Sequence, residues 1–396
     1  MYNQTMYELG SQPSIIRELF AYGLQQAKVV GAENVFDYTL GNPSIPAPAK
    51  VNQSIKDILS DTDSIAIHGY SMAGGFDSTR EAIAKNLNDR YGTDIKASNL
   101  YITCGAAPAL ISAIKALLAD ENSEIMVVAP FFPEYRPFIT KNGGNLVVVP
   151  ADKEQFQIDL TKVESLITEN TQAIIINSPN NPSGVVYTEE TLKALADILT
   201  KKGEEYGHPI YIIADEPYRE LVYGDVKVTF IPTVYKNTIV CYSWSKSLSL
   251  PGERIGYVCV PDQCDHAKEI YDGVSGAARA NGHVCAPTLM QMVIERCVGE
   301  MPDLKAYDEN RTLLYDELTK MGYKCAKPDG AFYLFVEVPN GDGMAFCQKA
   351  KEDHNLLVVP GEGFDCPGYM RLSYCVSNAM IKRSLPAFQK MYEAYK

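Results

Sequence analysis

Short apolar runs alternate with segments of helical periodicity in the middle of the chain, from about residue 80 to residue 260. The runs cover residues 100–104, 125–129, 146–149, 173–176, 210–214, 239–242 and 255–260. Alternation of short apolar strands with helices is typical of a largely parallel sheet that has helices packed on it. The pattern therefore predicts an α/β fold with a mostly parallel mixed sheet flanked by helices.

The pattern changes at both ends of the chain. Near the amino end, Ser14 precedes a helical pattern that places Ile15 and Ile16 on one apolar face, so the serine could cap this helix. After about residue 285, two helical patterns precede strand-like runs at residues 330–336 and 368–374. We expect the first helix to dock on the rest of the chain and the later elements to form a smaller α+β domain.

A stretch rich in proline and glycine, residues 40–48, marks a loop or a domain junction that could also line a site. Together with the change of pattern near residue 285, it divides the chain. We assign residues 45–284 to a large domain, and residues 1–44 and 285–396 to a small domain that includes the amino-terminal segment.

Composition and charge narrow the classes of partner. Of 396 residues, 46% are hydrophobic and 21% are charged, which is ordinary for a globular protein, and the net charge is −13. Nucleic acids and anionic membranes attract basic surfaces, so neither is an expected partner. The amino end has no secretory signal pattern and no apolar stretch is long enough to span a bilayer, so we predict a cytoplasmic location and a small-molecule substrate.

The cysteines and histidines give no sign of a metal site or a disulfide framework. The ten cysteines are scattered singly, without a Cys-x-x-Cys pair, and the five histidines form no pair at ligand spacing. We therefore predict no metal ligands and reduced cysteines that are mostly buried.

The stretch at residues 239–257 combines an apolar run with four serines, one lysine and one arginine. If the run is a buried strand, Ser243, Ser245, Lys246 and Arg254 lie beyond its end, where ligands bind in open α/β sheets. Hydroxyls and a guanidinium can hold a phosphate, and nearby positive charge lowers the pKa of an amine nucleophile. A solvated lysine in a polar loop is the other interpretation of this stretch taken alone.

A second strand end has the features of an anion site. Gly105, Ala106 and Ala107 follow a strand and precede an apolar helix, whose first-turn N–H groups could bind a phosphate. A tight strand-to-helix turn explains the same residues. The chain has no Walker motif and no G-x-G-x-x-G, which argues against a P-loop or a Rossmann dinucleotide site.

Three more strand ends carry distinctive residues. Residues 177–184 contain two prolines and two adjacent asparagines, which could form a rigid turn or a polar site. Asp215 follows an apolar run, so it is either a helix cap or a functional carboxylate. Phe131 and Phe132 could be core residues or could stack on a ligand.

Taken together, these motifs resemble those of pyridoxal-phosphate (PLP)-dependent aminotransferases of the aspartate aminotransferase superfamily, fold type I. The motifs are Asn-x-Pro-x-Asn-Pro-Ser-Gly at residues 177–184, Asp-Glu-x-Tyr from Asp215, and Ser-x-Ser-Lys ending at Lys246 with Arg254 eight residues later. They occur in the family's order and spacing, and the resemblance covers nearly the whole chain.

The resemblance implies a role for each matching residue. Lys246 matches the lysine that forms a Schiff base with PLP, and Asp215 matches the carboxylate that pairs with the pyridine nitrogen. The other implied cofactor contacts are Gly105, Ala106, Ala107, Ser243, Ser245 and Arg254 at the phosphate, Asn181 and Tyr218 at the ring hydroxyl, and Phe132 on the ring face.

The resemblance also implies a substrate pocket and a dimer. Arg371 matches the arginine that binds the substrate α-carboxylate, for which a planar bidentate donor is suited. Gly41, Asn42 and Asn181 match residues that line the same pocket. Tyr70 matches a tyrosine that reaches the phosphate in the neighbouring subunit, which implies a homodimer.

The implied activity is a ping-pong transfer of an amino group from an amino acid to a 2-oxo acid, with PLP alternating with its pyridoxamine form. A carbon–sulfur β-lyase uses the same lysine, aspartate and arginine and is an alternative. A third possibility is the effector module of certain transcription regulators, which have an amino-terminal DNA-binding domain. We expect no room for such a domain in this acidic chain.

Substrate preference is where the sequence departs from the family. Ala107 occupies a position at which one aspartate-specific branch has a lysine that contacts the distal carboxylate. Arg279 lies near the place where another branch has an arginine with the same task. It could tune acidic-substrate preference, or it could be a surface arginine on a helix.

Overall fold

The computed structural model describes residues 1–11 and 14–395. The strands in these ranges are β1 (Phe36–Asp37), β2 (Leu100–Thr103), β3 (Glu124–Val128), β4 (Asn145–Val149), β5 (Thr171–Asn177), β6 (Tyr211–Asp215), β7 (Thr238–Ser243), β8 (Gly256–Cys259), β9 (Lys324–Cys325), β10 (Tyr333–Glu337), β11 (Leu356–Leu357), β12 (Val359–Pro360) and β13 (Tyr369–Ser373).

The α-helices in the same ranges are α1 (Gln4–Ser11), α2 (Ile15–Val30), α3 (Ala49–Asp61), α4 (Ser64–His68), α5 (Asp77–Tyr91), α6 (Ala106–Leu117), α7 (Tyr135–Thr140), α8 (Leu160–Leu166), α9 (Glu189–Tyr206), α10 (Trp244–Ser247), α11 (Ala267–Ala280), α12 (Thr288–Cys297), α13 (Lys305–Met321), α14 (Gly343–His354) and α15 (Asn378–Glu393). None of these helices, in the part of the chain that the structure describes, has both the length and the apolar character that crossing a membrane requires.

The central sheet has seven strands in the order β2-β8-β7-β6-β5-β3-β4. The pairings from β7 to β4 are all parallel, whereas β8 runs antiparallel to both β2 and β7. Each of the seven apolar runs coincides with one of these strands. The predicted α/β fold with a mostly parallel mixed sheet is therefore confirmed.

Helices cover both faces of this sheet, which explains why its strands are apolar along their whole length. Ile125 and Val127 of β3 pack in one cluster with Ile114 of α6 and Val274 of α11. Met126, between them in the sequence, belongs to the cluster on the opposite face. Successive strand residues therefore fill two separate cores, as the pleat requires.

A second, antiparallel sheet has the order β12-β13-β10-β9 and packs with α13, α14 and α15, which confirms the smaller α+β unit. Its strand β10 begins at Tyr333, later than the predicted start at residue 330. The reason is Ala331, whose φ of +56° lies in the left-handed region and interrupts extended backbone.

The amino-terminal helix α2 docks as expected, because Ile15 and Ile16 pack against the core that includes Phe335 and Phe364. It runs to Val30. The predicted cap is wrong, since the Ser14 side chain makes no capping hydrogen bond.

Candidate active site

Three neighbouring parallel strands end in polar residues at one edge of the central sheet. Asn177 ends β5 directly opposite Asp215, which ends β6, and Ser243 ends β7. Strand β8 runs the other way, so its first residue, Gly256, lies opposite Ser243 and brings Arg254 to the same edge. A turn rather than a helix follows Asp215, which excludes the helix-cap interpretation.

A cavity of about 290 Å³ lies at this edge. The predicted site residues that line it are Gly41, Ala106, Ala107, Phe132, Asn181, Asp215, Tyr218, Ser243, Ser245, Lys246, Arg254 and Arg371. The fold thus brings together residues that are up to 330 positions apart in the sequence, from 41 to 371.

Lys246 lies in the single turn α10, directly after the end of β7. Its Nζ donates a hydrogen bond to the carbonyl oxygen of Gly41 at 2.6 Å. The pKa of Lys246 is lowered to about 8, chiefly by burial; Cys375 opposes this effect, and the positive charges of Arg371 and Arg254 add to it. A larger fraction of this amine is therefore neutral near pH 8 than for an ordinary lysine.

We expect amine-reactive labelling of Lys246 in the cofactor-free protein to rise with a midpoint near pH 8, because only the neutral amine reacts. Lysines in model peptides titrate at about 10.4. Peptide mass spectrometry after brief labelling across pH 6 to 11 measures the midpoint, with the exposed Lys227 as internal reference. A midpoint for Lys246 equal to that of Lys227 would contradict the burial argument.

Asp215 is a buried carboxylate with one oxygen in use. Its Oδ2 accepts a hydrogen bond from the hydroxyl of Tyr135, and its Oδ1 has no hydrogen-bond partner among the described residues. Burial raises the pKa of Asp215 to about 7, an effect that the Tyr135 hydrogen bond opposes. Asn177 braces the strand end, because its Nδ2 donates to the Asp215 carbonyl oxygen at 2.8 Å. The free oxygen can receive a cationic N–H group.

Arg371, in β13, lines the same cavity and is itself buried. One Nη donates to Asn181 Oδ1 at 3.2 Å and the other donates to the carbonyl oxygen of Thr39. Nε has no partner within the described ranges, and burial lowers the pKa of the guanidinium. The ring centroids of Tyr333 and Phe364 lie 4.7 and 4.9 Å from Cζ, so both rings pack against the guanidinium. A carboxylate is the natural partner for this group.

The turn before α6 is shaped for an anion. Gly105 has a φ of +93°, and a Cβ at this position would lie 2.9 Å from Nη2 of Arg254. The first hydrogen bond of the helix runs from the Ala109 N–H to the Gly105 oxygen, which leaves the amides of Ala106 and Ala107 without a helical partner. Two free amides beside a guanidinium can bind a phosphate.

The family model for Aminotransferase class I and II matches residues 32–388. The chain belongs to this family. Members of the family use PLP to transfer amino groups, and this aminotransferase therefore acts on small molecules.

Individual relatives agree with the family. The chain is 32% identical over 367 residues to an aspartate aminotransferase from Thermotoga maritima, covering 91% of this chain and 92% of that protein. An aminotransferase structure from Eubacterium rectale shares 55% identity, with a TM-score of 0.98, over 100% and 99% of the two chains. The Thermus thermophilus aspartate aminotransferase with maleate shares 26% identity, with a TM-score of 0.86, over 99% and 100%. The names of these relatives do not favour the carbon–sulfur lyase.

Four predicted positions lie outside the cavity lining of this aminotransferase. Gly105 lies next to the guanidinium of Arg254, and Asn42 is exposed. Tyr70 is 97% exposed, and Arg279 is exposed in the last turn of α11. Within its own chain, Arg279 is therefore a surface arginine on a helix, the second of the two interpretations of this residue.

Sequence reasoning missed three residues of the aminotransferase site. Tyr135 donates to Asp215 and lies three residues after Phe132, so the proline-rich motif around Phe132 was an available signal. The hydroxyls of Tyr333 and Tyr218 lie 3.0 Å apart, and Ile16 lines the cavity from α2. The sequence has no local signal for Tyr333 or Ile16, because the residues that they meet at the cavity are distant in the chain.

Proposed function

We propose that this aminotransferase moves an amino group from an amino acid to a 2-oxo acid, with PLP held in the cavity around Lys246. The observation that supports this most directly is the presence, in one cavity, of an amine with a lowered pKa, a buried carboxylate with a free oxygen and a buried guanidinium with a free Nε. These groups are what PLP and an amino acid require.

The residues present fit PLP. The unpartnered Oδ1 of Asp215 would accept a hydrogen bond from a protonated pyridine nitrogen, an ion pair that keeps the carboxylate charged. We propose that the phosphate is held by the turn from Gly105 to Ala107 together with Ser243, Ser245 and Arg254. We propose Phe132 on the ring face, with Asn181 and Tyr218 at the ring hydroxyl.

Bound PLP supplies a carbonyl for covalent attachment to an amine and a ring that withdraws electrons from the substrate Cα. The chain's own residues do the rest. Arg371 binds the α-carboxylate and orients the Cα–H bond. The neutral Nζ of Lys246 accepts the proton from the substrate Cα and would then donate it to the cofactor. The hydrogen bond to the Gly41 oxygen holds this amine in place.

A two-substrate assay tests the proposal. With an amino acid and a 2-oxo acid both present, the new amino acid and the new 2-oxo acid should appear in equal amounts over many turnovers. With the amino acid alone, the new 2-oxo acid should not exceed one equivalent per cofactor. Steady release of pyruvate and ammonia from a cysteine conjugate, without any 2-oxo acid, would instead assign the protein to the lyases.

Arg371→Lys should raise KM for amino acids by about 10- to 100-fold, because one ammonium group cannot replace two guanidinium bonds to a carboxylate. Steady-state kinetics measure the effect. The exposed Arg296→Lys is the matched control and should leave KM unchanged. An unchanged KM in Arg371→Lys would show that the α-carboxylate binds elsewhere.

We also propose that the active unit is a homodimer in which Tyr70 reaches the phosphate of the other subunit. In its own chain this side chain is 97% exposed, and Met72 and Ile65, which are close to it in the sequence, are 79% and 81% exposed. Exposed apolar side chains in one region are typical of an interface.

Light scattering should therefore give twice the chain mass of 43.7 kDa. Tyr70→Phe should keep this mass and weaken PLP binding by about tenfold, the effect of one lost hydrogen bond to a charged group. Unchanged PLP affinity in the dimeric variant would remove Tyr70 from the site.

A further inference from the structure

Helix α2 forms part of the cavity wall near Arg371. A Cβ at Gly363 would lie 3.2 Å from Cγ2 of Ile15, so the start of α2 contacts the turn at residues 361–364. The ring of Phe364, in that turn, lies 4.9 Å from the Arg371 Cζ. Ile16, the next residue of α2, lines the cavity.

A second apolar side chain lies at the same end. Leu40 lines the cavity, and its neighbours in the sequence bind both reactive groups. The carbonyl oxygen of Thr39 accepts from Arg371, and that of Gly41 accepts from Lys246. Leu40 therefore lies in the chain between the two residues that contact this guanidinium and this amine, and Ile16 lines the same cavity.

Within one chain, the charged residues around the cavity leave no partner for a second substrate carboxylate. The cationic residues that line it, within the described ranges, are Lys246, Arg254 and Arg371. The proposed function uses all three, for the cofactor, its phosphate and the substrate α-carboxylate. The remaining charged residue, Asp215, is proposed to pair with the pyridine nitrogen and is an anion, so it offers no partner either. An unpaired carboxylate is costly to bury against apolar groups.

We propose that the amino donor of this aminotransferase has an apolar side chain, as leucine does, and that Ile16 and Leu40 select it. The inference rests on the proposed function and names the substrate class of the same site. It differs from the substrate in the names of the aspartate aminotransferase relatives.

Binding of unreactive analogues to the PLP-loaded protein tests the substrate class. We expect 4-methylpentanoate to bind at least about tenfold more tightly than succinate, measured by isothermal titration calorimetry, because a few methylene groups in an apolar pocket give discrimination of this size. Equal or tighter binding of succinate would overturn the inference.

Variants of α2 test whether Ile16 determines the preference between the two analogues. Ile16→Arg should shift the ratio of the two affinities toward succinate by at least about tenfold, since it supplies the missing cation. Leu24→Arg is the matched control on the same helix, where the side chain is 55% exposed, and it should leave the ratio unchanged. If Ile16→Arg does not fold, Ile16→Ala should weaken 4-methylpentanoate binding several-fold and leave succinate unchanged. An unchanged ratio in both Ile16 variants would overturn the role of Ile16.

A comparison of amino-group transfer from leucine and from aspartate tests the substrate class separately from transamination itself. Faster transfer from aspartate overturns the apolar substrate class and leaves transamination intact, whereas no transfer from any donor removes both. We expect Arg279→Ala to leave the leucine-to-aspartate ratio unchanged. A preference for aspartate that disappears in Arg279→Ala would overturn the inference and assign acidic selection to Arg279.

Discussion

Lys246→Ala should lower kcat by at least ~10⁴-fold, the upper range for removal of a general acid–base group, because the variant loses both the amine that attaches PLP and the base that moves the Cα proton. No other lysine lines the cavity among the described residues, so no neighbouring amine can substitute. Steady-state kinetics with a coupled 2-oxo acid assay measure the loss, and circular dichroism checks that the variant is folded.

Two further variants separate the chemistry of Lys246 from its charge. Lys246→Arg keeps a cation in the cavity but presents no nucleophilic amine, and it should be as inactive as Lys246→Ala. Lys227→Ala removes an exposed lysine and should retain full activity. Turnover in Lys246→Ala at the wild-type level would refute the assignment of this residue.

Asp215→Asn should reduce kcat/KM by about 10²- to 10³-fold, the typical cost of removing a preorganised electrostatic partner. Asparagine keeps the shape and can still contact Tyr135, but it cannot hold a pyridine nitrogen in its protonated form. The same steady-state assay measures the loss. The exposed Asp197→Asn is the matched control.

The two proteins should also differ in the pH dependence of PLP binding. Because burial raises the Asp215 pKa to about 7 in the cofactor-free chain, the wild-type carboxyl becomes neutral as pH falls below about 7, and PLP affinity should decrease there. Asp215→Asn should bind PLP weakly without this inflection. A shared inflection in both proteins would show that another group causes it.

The fold was predictable to within a few residues because burial on both faces makes each strand of the central sheet a short, nearly continuous apolar run. For example, the apolar run at residues 239–242 lies within β7 (Thr238–Ser243). The start of β10 was not predictable, because the left-handed backbone at Ala331 gives no hydrophobic signal. The proposed domain boundaries, at residues 44/45 and 284/285, stay predictions.

Most of the polar residues that line the cavity could be predicted for a similar reason. Asp215 and Ser243 follow apolar runs directly, and parallel strands end at one edge of a sheet, so strand order alone brings such residues together. Tyr333 and Ile16 follow no such rule. Tyr333 belongs to the second sheet and Ile16 to helix α2. Only the packing of these elements against the rest of the chain brings the two residues to the cavity.

Borohydride mapping of the PLP-loaded protein identifies the lysine that holds the cofactor, because reduction fixes the cofactor to that lysine and peptide mass spectrometry locates it. We expect a pyridoxyl phosphate label on Lys246, no label when the protein is incubated with an amino acid alone before reduction, and the label again when a 2-oxo acid is added after the amino acid and before reduction. A label on another lysine, or undiminished labelling of Lys246 after incubation with every amino acid tried, would refute the proposed role of Lys246.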